Sequence, residues 1–140
     1  MRPSWIEVDL DAIAGNVAAF VDLVAPASVC AVVKADAYGH GDVAVAQRAL
    51  DAGASMLAVA LVEEGIRLRT AGIRAPILVL SEPALDDIDE LVDGRLTATV
   101  YRHTTLEAVF DAVERSGAEP PEVHVKVDTG MHRVGASPQV

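Results

Sequence analysis

The chain is poor in what several function classes require. It has one cysteine, Cys30, so no internal disulfide can form, and inside Val29-Cys-Ala-Val-Val33 that cysteine is expected to be a small core residue. Aromatic residues make up 4% and the formal net charge is −10, which leaves neither the stacking platforms nor the basic stripe that nucleic acid binding needs. No uninterrupted apolar run approaches the roughly 20 residues that span a bilayer. The start, Met1-Arg-Pro-Ser-Trp-Ile-Glu-Val-Asp9, lacks the apolar stretch of a signal peptide, so a cytoplasmic location is expected. His40, His103, His124 and His132 show no His-x3-His spacing and there is no Cys-x2-Cys pair, so no metal site is expected. The Tyr38-Gly-His-Gly41 turn is neither a P-loop nor a dinucleotide fingerprint.

What is present is a globular composition, 51% hydrophobic and 23% charged, in a chain of 140 residues, long enough to bury a core. Gly53, Gly72, Gly94 and Gly117 each follow a helical pattern and precede an apolar run, as expected of glycines that end helices in the left-handed conformation. Their separations of 19, 22 and 23 residues suit one helix plus one strand per interval, which predicts alternating β and α elements around a parallel sheet. Apolar runs place strands at residues 28–33, 55–60, 76–80, 96–101 and 122–127, nearly continuous in Val, Ile, Leu and Ala as strands covered on both faces require. Helices are expected at 10–24, 42–52, 62–71, 83–92 and 104–116. In the first, Leu10, Ile13, Val17, Phe20, Val21 and Val24 form one apolar face for packing on the sheet, and Pro83 suits the first turn of the fourth. Residues 5–9 alternate and are a candidate extra strand. Ser137-Pro138 has the form of a helix start, yet two residues cannot nucleate a helix, so the chain is expected to end inside a fold that continues.

Lys34 closes an apolar strand and is followed at once by Tyr38 and the glycines Gly39 and Gly41. A strand leaving a core holds its last side chain in partly dry surroundings, where the ammonium is disfavoured and the neutral, nucleophilic amine becomes accessible for Schiff-base chemistry. The plain alternative is a solvated strand-end lysine. A second group, Lys126, Asp128 and Arg133, sits at and beyond the end of the last strand, where barrel enzymes place catalytic side chains. An arginine there can clamp a carboxylate bidentately. Alternatively, Lys126 pairs with Asp128, and Arg133 with a surface acid.

The string Val32-Val-Lys34-Ala-Asp-Ala-Tyr38-Gly-His-Gly41 resembles the cofactor-lysine motif of alanine racemases, a fold-type III pyridoxal-phosphate family built on a (β/α)8 barrel plus a β-rich domain. The segment His124-Val-Lys126-Val-Asp128-Thr-Gly130-Met131-His-Arg133-Val-Gly135 is similar to the family's stretch after the fifth barrel strand, and residues 62–80 resemble its third-helix and third-strand region. The similarity runs from Ile6 to Gly135. It implies an α/β chain carrying the first five β/α units of a TIM-type barrel. A complete barrel needs about 250 residues, so residues 1–140 are expected to be the N-terminal part of the barrel domain, without the rest of the barrel or the β-domain that residues 5–9 would join.

The resemblance also implies roles. Lys34 would carry pyridoxal 5'-phosphate as an aldimine and, once freed, act as the base on one face of the substrate. Tyr38 would contact the phosphate, Arg133 the ring hydroxyl and the substrate carboxylate, and Met131 would lie beside the same site. Lys126 matches a position carbamylated in some racemases, and His40 would be a polar residue of the motif rather than a catalyst. The activity implied is an isomerase interconverting L- and D-alanine, a peptidoglycan precursor, in a homodimer. The second acid/base group, in the family a tyrosine of the partner subunit's C-terminal domain, matches no residue of this chain, so little activity is expected of the chain alone. Two other readings stand beside this one: a non-catalytic pyridoxal-phosphate-binding protein like the family's barrel-only relatives, and a silent α/β domain. The open edges of an unclosed sheet predict self-association.

Overall fold

The computed structural model of the chain describes residues 3–138. Five short strands, β1 (Cys30–Val32), β2 (Met56–Val59), β3 (Ile77–Val79), β4 (Thr97–Val100) and β5 (Val123–Val125), pair in parallel in chain order. The register sets Ala31 beside Leu57, Leu57 beside Ile77, Leu78 beside Thr97 and Ala98 beside Val123. Helices supply the crossovers: α1 (Leu10–Val24) leads into β1, and α3 (Asp42–Asp51), α4 (Val62–Thr70), α5 (Ile88–Asp93) and α6 (His103–Ser116) join successive strands. A single helical turn, α2 (Lys34–Gly39), follows β1. Because all strands run one way, their carboxyl ends share one edge of the sheet, and that edge carries both of the sequence's candidate groups.

Sheet neighbours and helices cover the three inner strands; β2 and β3 are apolar throughout, and β4 buries Thr97 and Thr99 beside Ala98 and Val100. Leu57, Ala58, Ile77 and Ala98 have no exposed surface. Leu68, Ile88 and Leu91 from the helices, and Leu96 just ahead of β4, join them in the core, each such burial contributing about 1.5–3 kcal/mol. The outer strands lack a neighbour on one side and are correspondingly open: every residue of β5 is exposed, and Val32 on β1 is 40% exposed. Among the described residues, no helix is long and apolar enough to cross a membrane.

Several expectations need correction. Cys30 is exposed, not a core residue, because β1 is an edge strand. The apolar face of α1 packs chiefly on α3 rather than the sheet, and none of its residues is fully buried; the helix precedes the first strand and has no earlier strand to cover. Residues 5–9 form no strand, and Trp5 is 79% exposed. Pro83 does not open the fourth helix, which starts later, through a 3-10 turn at Leu85–Asp87. The strands are shorter than their apolar runs, although residues just past their ends, such as Val33, Leu80 and Lys126, still donate backbone hydrogen bonds to the neighbouring strand. The helix start at Ser137-Pro138 would fall mostly outside the described residues.

Gly53, Gly72 and Gly117 take positive φ as expected, but Gly94 does not; Arg95 takes it instead, with φ 49°. Gly94 is needed for space. A Cβ there would lie 2.5 Å from Ile66 Cδ1, and a Cβ on Gly65 would lie 2.7 Å from the fully buried Leu96 Cδ1. Gly15, in mid-α1, has nothing within 4 Å of its added Cβ. Gly65→Ala should therefore destabilise by about 1–3 kcal/mol through overpacking, while Gly15→Ala should stabilise by about 0.5–1 kcal/mol. Urea midpoints of the two variants should move in opposite directions.

Candidate functional site

Lys34 is the second residue after β1 and is half-buried. The next four residues, Ala35, Asp36, Ala37 and Tyr38, have φ of 51, 55, 50 and 56°, a left-handed turn made without glycine. For L-residues that conformation costs about 1–2 kcal/mol each, so it persists only where surrounding bonds fix it. Those bonds are present. Ala35 N–H donates to Glu64 Oε1 at 2.7 Å, Ala37 N–H to Val33 O at 2.9 Å, and Gly41 N–H to Asp36 O at 3.0 Å. Asp36 Oδ1 accepts from Asp42 N–H at 2.9 Å, and His40 Nδ1 lies 2.8 Å from Ala37 O. Asp42 is buried and pairs with Arg67, and this hydrogen bond raises the guanidinium above its ordinary pKa. His40 thus closes the turn, in keeping with a structural role.

The other end of the same edge is organised by three side chains. Glu82, with a side chain 1% exposed, follows β3 and accepts the Tyr101 and Arg102 N–H groups at 2.9 and 2.8 Å, besides pairing with the Arg102 guanidinium. Burial works against its charge, but these donors outweigh it and hold the carboxyl below its usual range. Lys126 does not pair with Asp128. Its Nζ donates to Leu80 O at 2.7 Å, reaching from β5 across the end of β4 to β3. Asp128 accepts Gly130 N–H at 2.9 Å and His132 N–H at 3.0 Å, with His132 Nδ1 at 3.2 Å, and the two backbone donors lower its pKa. The loop then folds back so that Ala136 pairs with Val127. A Cβ at Gly135 would lie 2.6 Å from Asp128 N.

Lys34, Tyr38 and Arg133 share a property: among the described residues their side chains take no hydrogen-bond or ion-pair partner. An amine, a phenol and a guanidinium left free at one sheet edge fit a ligand with a carbonyl, a phosphate and a carboxylate. Tyr38 and Met131 are 61% and 75% exposed, and Arg133 is exposed as well. A cavity of about 440 Å3 is lined by Asp128, Thr129, His132 and Ser137, within the loop that carries Met131 and Arg133. The larger cavity, about 680 Å3, lies at the amino ends of the strands beside Arg69, Arg74 and Glu122. Arg69 offers a ligand little there, because its guanidinium already donates to the carbonyls of Gly94, Ile73, Ala75 and Arg95.

Comparison with known proteins bears on the family and the fold. The family model "Alanine racemase, N-terminal domain" matches residues 8–140. The chain belongs to that family. It is 47% identical over 135 residues to alanine racemase 1 of Oceanobacillus iheyensis, covering 96% of this chain and 36% of that protein. The alanine racemase of Bacillus anthracis, solved with bound L-Ala-P, superposes with a TM-score of 0.88 at 39% identity, over 98% of this chain and 35% of that one. A histidine racemase from Leuconostoc mesenteroides superposes with a TM-score of 0.83 at 25% identity, over 91% of this chain and 34% of that one. The chain spans about a third of the length of the relatives it matches. Its five parallel strands match the N-terminal barrel domain of alanine racemase, and the barrel is not closed in this chain.

In a closed eight-stranded barrel, the first and fifth strands stand on opposite sides of the mouth. Lys34 and the Lys126–Arg133 segment would then face each other across it. Sequence reasoning missed Glu64, Asp36, Asp42 and Glu82. Only Glu64 carried a local signal, as a glutamate at the third position of a helix start.

Glu82 generates a pH prediction. Its folded pKa is lowered, so its contribution is full above the ordinary value of 4.5 and is lost as pH falls through the folded value. Glu82→Gln should cost about 1–3 kcal/mol at neutral pH. The gap from the parent should narrow as pH drops below the ordinary glutamate range, read as urea midpoints against pH.

Proposed function

We propose that this chain supplies the lysine side of the active site of a pyridoxal-phosphate-dependent amino-acid racemase acting on alanine. The observation that carries the reading is the free amine of Lys34 at the carboxyl end of β1, held by a left-handed turn within the racemase-like string Val32 to Gly41. When bound, pyridoxal phosphate supplies an electron sink that makes the α-proton of an amino acid removable. Lys34 would hold the cofactor through Nζ and would carry the α-proton at that atom on one face of the substrate. The Tyr38 hydroxyl would donate to the phosphate. Arg133 would hold the substrate carboxylate and the ring hydroxyl, with Met131 beside it. Lys126 orients this side of the mouth through its Nζ–H bond to Leu80 O, a donor that a carbamylated Nζ–H would still provide.

Inversion needs a second proton carrier on the opposite face, because return from the same side restores the starting enantiomer. We place that group outside these 140 residues, together with most of the phosphate site, in a cytoplasmic homodimer whose full barrel is completed by further strands. Residues 1–140 alone should therefore racemise slowly or not at all, and their open edges should favour self-association. The structural likeness to a histidine racemase favours a second reading on substrate alone: the same lysine machinery serving another amino acid.

The chain's two lysines, Lys34 and Lys126, make the test direct. After incubation with pyridoxal phosphate and reduction by borohydride, peptide mass analysis should find the label on Lys34. Lys34→Arg in the racemising protein should remove the label and lower activity by about 10²–10⁴-fold. Label on Lys126, or racemisation at parental rates in the variant, would sink the assignment. Labelling without any racemisation by the protein as its source makes it would favour a cofactor-binding role.

A further inference from the structure

We propose that Glu64 is a positioning residue for Lys34, and that Asp36 serves the same end from the other side of the turn; this rests on Lys34 being the cofactor lysine. Glu64 sits in the first turn of α4. Its Oε2 accepts the N–H groups of Ala60 and Leu61 at 2.7 and 3.1 Å, which is ordinary helix-start chemistry. Its Oε1 does something local capping does not need: it accepts the N–H of Ala35, 29 residues away in sequence, at 2.7 Å. One carboxylate thus ties the residue immediately after Lys34 to the segment immediately after β2.

That N–H needs an acceptor. At the start of a helical turn the first amide groups have no partner within the turn, and the left-handed path directs the Ala35 amide out of the parallel ladder. Without Glu64 the first of four strained residues would lose its anchor. The strain of the left-handed path then favours relaxation to an ordinary conformation, which swings the Lys34 stem. Asp36 fixes the far end of the same turn. Its Oδ1 accepts from Asp42 N–H, and Asp42 is itself buried and locked by Arg67. The reactive amine is therefore aimed by two carboxylates that never touch it.

The test compares the parent protein loaded with pyridoxal phosphate with Glu64→Gln and Asp36→Ala, the second of which removes the acceptor of the Asp42 N–H. A glutamine keeps one carbonyl oxygen and cannot accept on both sides at once. The expected result is a borohydride-trapping rate at Lys34 lowered about 10- to 100-fold. The pH titration of the bound cofactor's visible absorbance should shift, and kcat should fall more than KM changes. Amide exchange at Ala35 should be slow in the parent. A lowered melting temperature with unchanged trapping rate and absorbance titration in both variants would make Glu64 a helix cap only and overturn the proposal. Fast exchange at Ala35 in the parent would overturn it equally, and needs no variant. If Glu64→Gln does not fold, the Asp36→Ala result and the exchange rate decide. If the parent itself shows no label on Lys34, the functional reading falls and this proposal falls with it; label in the parent with unaltered variants removes only the proposal.

Discussion

The arrangement of the site depends on one strained turn. Four consecutive residues with side chains, Ala35 to Tyr38, run left-handed directly after Lys34, a path that the chain would leave if it were free to. The direction of the lysine is therefore a property of whatever holds the turn, which is a set of acceptors drawn from three elements. Val33 provides a backbone carbonyl, Glu64 a carboxylate from α4, and Asp36 a carboxylate that reaches the start of α3. Tyr38 lies at the end of the same turn, so the amine and the phenol are set by one piece of backbone geometry rather than two.

The rest of the fold serves that edge. Parallel pairing of β1 to β5 brings every strand's carboxyl end to one side, and carboxylates or amines at those ends tie one strand to another. Glu64 links the ends of β1 and β2, Lys126 links β5 to β3, and Glu82 links the end of β3 to that of β4. These bonds lie where the ladder stops, so they extend the sheet's order into the loops that carry Tyr38 and Arg133. Apolar packing beneath, from Leu57 and Ile77 to Leu96, supplies the stability against which the turn's strain is held.

Much of this was legible from the residues, and for identifiable reasons. Apolar runs separated by helical patterns announced five strands and the order of the helices, and α1 begins and ends where its periodicity puts it, with Asp9 capping its start. The motif around Lys34 marked the strand end correctly. The left-handed turn was not legible, because Ala-Asp-Ala-Tyr contains no glycine and local propensity opposes the conformation it adopts. The link from Glu64 to Ala35 and that from Asp42 to Arg67 were not legible either, since these partners lie 29 and 25 residues away. Gly94 showed a different failure: the glycine was visible, but its reason, room for Ile66 rather than positive φ, belongs to packing. Cys30 and the apolar face of α1 were misplaced because burial at an edge depends on neighbouring strands, which apolar sequence alone does not reveal.

The central claim is that the carboxyl edge of the sheet, and not the larger cavity at its amino edge, is where the cofactor binds. Amide chemical-shift mapping on addition of pyridoxal phosphate tests it most directly. The account predicts shifts concentrated at residues 34–41 and 126–135, with Arg69, Arg74 and residues 119–122 unmoved. Shifts centred on Arg69, Arg74 and Glu122, with Lys34 and Tyr38 unchanged, would contradict it.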